Sequence, residues 1–166
     1  GYCATYDAQG RTWSGGVSFG PGYPSTNGFQ PAFQGGGCDA VLTLWKPDGT
    51  GYRSSTFLGG NNREAPHSIS VAPNGDLVVF GTTGSTDFPH LTNAFDTTFA
   101  GGSGVSADGV YFNNGTDLFV ARLDSTGGVF RGGTYLGGAQ NDGINLEPNS
   151  LPMNYGDPAR GELLVN

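Results

Sequence analysis

The chain has 166 residues, enough for one domain, and sets 7 Lys and Arg against 14 Asp and Glu for a formal charge of −7. That balance excludes the basic stripe of a nucleic-acid binder and the clustered cations that anionic membrane surfaces attract. No stretch approaches the ~20 consecutive apolar residues that a membrane-spanning helix needs, so membrane insertion is not expected.

Glycine (31) and proline (10) make up about a quarter of the chain, a share that on its own reads as disorder. Two features oppose that reading. Aromatic residues are 12%, well above a disordered composition, and the glycines recur in register between two halves of the chain. The N-terminal GYCATYDAQG has neither a basic nor an apolar signal region, and both ends read as mid-strand sequence. The chain is therefore expected to be a piece of a longer, secreted polypeptide.

Taken in chain order, the first unit opens with a strand at Cys3, followed by YDAQGRTWSGG (6–16) and the aromatic-spaced YPSTNGFQPAFQGG (23–36). Cys38 then precedes DAVLTLWKPDGTGYRSSTFLGG (39–60). The second unit repeats these pieces as VAPNGDLVVFG (71–81), FPHLTNAFDTTFAGG (88–102) and DLFVARLDSTGGVFRGGTYLGG (117–138). Pro24 meets Pro89, Phe29 meets Phe95, Phe33 meets Phe99, Asp39 meets Asp117, and Thr56 to Gly60 meet Thr134 to Gly138. The excess in the second unit is SGVSADGVYFNN, an insertion near 103–114. The organisation is thus a first repeat over 1–65, a second over 66–142, and the start of a truncated third over 143–166, all in one larger domain.

Within the second unit, His67–Val71 alternates polar and apolar residues, a strand signal. Asn74-Gly75 marks a tight turn, and LVVFGT (77–82), DLFVARL (117–123) and 129–136 read as three more strands. Phe88, Phe95 and Phe99 are expected to be buried and to pin the long second-to-third connection. The expected fold class is all-β, with antiparallel four-stranded blades of a β-propeller, about two blades plus a partial third and virtually no helix. A blade cannot bury both faces alone, so neighbouring blades of the same parent protein are the expected partners.

The pattern PNGDLVVFGTTGSTDFP, with AF-x-TTF-x-GG and TYLGG downstream, resembles the bacterial SBBP family, the beta-propeller repeat. The resemblance covers nearly the whole chain apart from the insertion and the ends. The first copy departs from it, with GGVSFGPGYP where GTTGSTDFP stands in the second. The resemblance implies a large secreted or surface-exposed protein of the kind found in Bacteroidetes, exported by the type 9 system and linked to gliding motility or adhesion. It carries over no catalytic residue.

Candidate chemistry is sparse. His67 and His90 come with no nucleophile motif, so no enzyme is expected. No cofactor is expected: there is neither a His pair at ligand spacing nor a C-x-x-C for zinc, and calcium is left as a candidate, with Asn61, Asn62 and Glu64 after one Leu-Gly-Gly and Asn141 and Asp142 after the other; turn chemistry is the competing explanation. Asp39 and Asp117 are expected to cap backbone N–H groups. Tyr111 and Phe112 in the insertion are candidates for glycan or protein contact, against tucking onto the blade. Cys3 and Cys38 are a candidate disulfide, but two strand spacings of nearly 10 Å exceed the ~7 Å limit between Cα atoms unless the loop folds back. Asn114-Gly115-Thr116 is a sequon, and Asp96-Thr97-Thr98 and Asp124-Ser125-Thr126 resemble O-glycosylation triplets. The function expected is a non-enzymatic structural or adhesive module at the bacterial cell surface, in contact with secretion machinery or surface glycans. The alternative is a carbohydrate- or protein-binding propeller of a secreted enzyme whose site lies on other blades.

Overall fold

A computed structural model of the chain describes residues 2–107, 109–144 and 161–165. They contain ten strands and no helix: β1 (Cys3–Tyr6), β2 (Thr12–Ser18), β3 (Asp39–Trp45), β4 (Tyr52–Leu58), β5 (Glu64–Val71), β6 (Leu77–Thr83), β7 (Val105–Ala107), β8 (Val110–Phe112), β9 (Asp117–Leu123) and β10 (Phe130–Leu136). They form two antiparallel four-stranded sheets, ordered β1-β2-β3-β4 and β5-β6-β9-β10, and the separate hairpin β7-β8. Each sheet is one sequence repeat, and the hairpin is the insertion. The third-repeat reading of 143–166 falls mostly outside the described residues.

The hairpin turns share one local device. The amides of Gly10, Gly49, Gly75 and Gly127 each bond the carbonyl three residues earlier, and all four glycines have φ between 70° and 89°. This is a turn closed by a left-handed residue, which glycine adopts without a Cβ clash. Asp124 reinforces its turn by accepting the amides of Thr126, Gly128 and Val129, which gives the Asp124-Ser125-Thr126 triplet a structural role.

Strand alternation sends two kinds of face into one core. In the first sheet, Trp13, Ala40, Leu42, Leu44 and Leu58 point to the same side. In the second sheet, Leu77, Val79, Phe119, Ala121, Leu123 and Tyr135 do so from the opposite register. These residues are almost fully buried together, and β5 lies across β1, β2 and β3. The stacking is head-to-tail: one face of the first sheet meets the other type of face on the second.

Each long connection is pinned in the same way. Thr56 exchanges hydrogen bonds with the backbone of Gln30, and Thr134 does so with Asp96. Tyr23 and Phe33 flank Phe57 edge-on at 6.0 and 6.1 Å, and Phe88 and Phe99 flank Tyr135 at 6.2 and 6.1 Å. The repeated Thr-aromatic pair thus holds its own loop. Phe95 departs from the expected burial. It is 88% exposed, although its counterpart Phe29 packs against the core. Phe29 is covered because its ring stacks on Phe130 of the second sheet at 4.9 Å, and no described residue stacks on Phe95.

Candidate functional site

The densest polar chemistry lies where the first repeat hands over to the second. After β4 the chain runs through Gly59-Gly60-Asn61-Asn62 into β5. The Asn61 amide donates to Asp87 and the Asn62 amide to the Ser85 hydroxyl, both from the second unit's connection. Glu64, fully buried at the start of β5, accepts from the hydroxyls of Thr83 and Ser85 and from the Gly60 amide. Ser85 and Asp87 therefore grip the segment that leaves the first sheet.

Glycine is required at this handover by close approach. A Cβ on Gly59 would collide with Glu64 Oε2 and with the Asp39 carboxylate, and one on Gly60 would collide with Asp87 and Ser85. Asp39 is also fully buried; its Oδ2 accepts the Gln34 amide, and its Oδ1 has no hydrogen-bond partner. Burial pushes Glu64 up to about 7 against the pull of its hydroxyl and amide donors, with the nearby Asp39 charge adding to the rise. Burial likewise pushes Asp39 up to about 6, partly offset by the Gln34 amide.

The same ladder recurs at the end of the second repeat. Asp117 accepts the amides of Ala100 and Gly101, which supports the capping role expected for the recurring aspartates. Asp142 stands where Glu64 stood and accepts the Gly138 amide at 2.8 Å. Asn141 accepts the Thr116 amide. Of the residues considered for calcium, Glu64, Asn141 and Asp142 thus accept turn and junction hydrogen bonds. Among the described residues, no group of three or more His, Cys, Asp or Glu side chains converges on one point.

The cysteines are not bridged. Cys3 sits on β1 opposite Gly15, beside the inter-sheet core. Cys38, completely buried, lies in a second apolar cluster with Val105, Val110 and Phe112 of the inserted hairpin. It directs its thiol toward the Glu64 carbonyl. The insertion is thus a buttress packed at the junction of the two repeats, and Arg63 ties to it through Asn113. Phe112 points into this cluster and leaves only Tyr111, 52% exposed, on the surface. Alternation along β8 places these neighbours on opposite faces.

The histidines lie apart from the junction carboxylates. His67 contacts the Thr82 hydroxyl and packs edge-on against Phe80, and His90 bonds the Phe88 carbonyl. Thr116 of the sequon is buried and donates to the Asp142 carbonyl; Asp96 caps the Thr98 amide. A cleft of about 280 Å³ opens where turns of both repeats meet, lined by Tyr6, Asp7, Arg11, Asn74 and Ser125 among others. It falls below the usual range of small-molecule sites, and Asp7 and Arg11 in it are already paired with each other.

No family model matches the chain, and no curated protein matches it. Ser85 and Asp87 are the residues that sequence reading passed over. Their signal was present in the contrast between Ser-Thr-Asp in the second copy and Gly-Pro-Gly in the first.

Proposed function

We propose that the chain contributes two consecutive blades to a β-propeller, and that this propeller is a non-enzymatic structural or adhesive module of a large secreted bacterial surface protein. The observation that carries the reading is the head-to-tail stacking of two equivalent four-stranded sheets through one continuous core. Repeated rotation of one such contact is the geometry that closes rings of blades. The polar chemistry supports the same reading, because the junction carboxylates accept backbone amides and hydroxyls that hold the chain. The low share of charged residues, 13%, and the aromatic-pinned loops suit a rigid extracellular scaffold.

Antibodies against the chain, applied to intact and to lysed cells of the producing bacterium, test the placement. Labelling of intact cells supports it, and labelling only after lysis sinks it. Turnover of any polymer by the native protein would overturn the non-enzymatic part.

A further inference from the structure

The contact between the two sheets is built from parts that the second sheet carries again on its far side, where no further sheet covers them among the described residues. In the first unit, Ala40, Leu42 and Leu58 are 0% exposed because the second sheet covers them. Their counterparts Leu118, Val120 and Leu136 are half-buried. The Phe29 ring stacks on Phe130, and its amide bonds the Gly127 carbonyl in the β9-β10 turn; Ser54 reaches the neighbouring Thr126 carbonyl. The counterpart of Phe29 is the exposed Phe95. Gly60 is walled in by Ser85 and Asp87, while a Cβ on its counterpart Gly138 would meet nothing within 4 Å.

We infer that the far face of the second sheet, with Phe95 and the Gly137–Asp142 segment, is a docking surface for one further repeat unit of the second unit's type. That unit presents a Ser-x-Asp after its second strand to grip Gly138–Asp142. Its third-to-fourth-strand turn supplies a glycine carbonyl and an aromatic ring to receive Phe95. The chain's own first unit does not fit this role. It offers Gly49 and Tyr52, but Gly20-Pro21-Gly22 stands where Ser85-Thr86-Asp87 provides the grip. A second copy of the chain therefore lacks half of the complement. Residues 161–165 already touch part of this surface: the Leu163 amide bonds Ser68, and Gly161 lies against Phe80.

This inference rests on the blade reading and adds the residues that select the next blade. The test compares the 166-residue protein with an extended chain in which residues 65–142 follow Asp142 a second time. Phe95→Ala and Gly138→Ala are placed in each, and thermal unfolding is read by near-ultraviolet circular dichroism. In the 166-residue protein both substitutions are expected to move Tm by no more than about 1 °C, whereas Phe29→Ala lowers it by about 5 °C or more. In the extended chain Phe95→Ala and Gly138→Ala are each expected to lower Tm by about 5 °C. Equal effects of Phe95→Ala in both chains would overturn the inference. So would a third unit that melts independently of both substitutions, or an extended chain that fails to fold. Loss of no stability in Phe29→Ala would remove the latch itself, with or without the extended chain. Phe29→Ala thus reports on the stacking of the two sheets on which the blade reading stands, and Phe95→Ala and Gly138→Ala on the third unit, so the two readings fail separately.

Discussion

Cys38 and Thr116 occupy the same place in successive repeats. Each precedes the third strand of its sheet, and each directs its side chain to the backbone carbonyl of the acidic residue at the handover to the next repeat, Glu64 for Cys38 and Asp142 for Thr116. The backbone agrees, since Glu64 donates to the Cys38 carbonyl as Asp142 does to that of Thr116. Cys38 is thus a weak S–H donor at a position built for a small hydroxyl. Cys38→Thr is expected to change stability by no more than about 1 kcal/mol. Burial pushes both thiols up to about 11, so a thiol reagent is expected to react with the native protein far more slowly than with the unfolded chain. Mass spectrometry of the non-reduced protein should find both cysteines alkylatable after unfolding.

Glu64 makes stability depend on pH. Its folded value of about 7 lies above the ordinary 4.5, so the folded state holds a proton that the unfolded chain releases. Its contribution is complete below about pH 4.5 and is lost as pH rises through 7. The loss is on the order of 3 kcal/mol. Asp39, raised to about 6, acts in the same direction at slightly lower pH. Urea unfolding from pH 5 to 8 should show falling stability, and Glu64→Gln should flatten the slope by keeping a neutral group in place.

Ser85 connects the grip to that carboxyl. Ser85→Ala leaves the buried Asn62 amide without its acceptor and removes one donor from Glu64. A cost of about 1–3 kcal/mol is expected, together with a further rise of the Glu64 pKa. Asp87→Ala should cost less, because the Asn61 amide it serves is nearer to solvent. Denaturant unfolding of the two variants checks the order.

Thr134 pins the 88–99 connection through its exchange with Asp96. Thr134→Val keeps the shape and removes both bonds, at an expected cost of about 1–2 kcal/mol. Limited proteolysis should then cut between Phe88 and Phe99 faster than in the parent, while cleavage elsewhere stays unchanged.

The strands were legible because Val, Thr and aromatic residues alternate between turns that each end in a left-handed glycine. The repeat offsets also located the inserted hairpin. Phe95 was misread for a physical reason: burial of that position depends on a neighbouring unit, and a single-unit reading assigns the aromatic to its own core. Phe112 was legible as an aromatic on an excursion. Its direction was not, because it depends on Cys38 and Val17 arriving from the other repeat. The role of Ser85 and Asp87 was hidden in turn-like sequence, since Ser-Thr-Asp reads equally well as a local cap. The buried Glu64 gave no local sign of its hydroxyl partners on β6 and beyond.

The most direct test of the central claim, that the two repeats are consecutive blades of a propeller, is an electron cryomicroscopy structure of the intact native polypeptide. The account predicts further four-stranded sheets laid in the same sense on the face of Val78, Leu118, Val120 and Leu136, with Phe95 covered and the series closing on itself. A structure in which that face is open to solvent, or is covered by an element unlike these repeats, would contradict it.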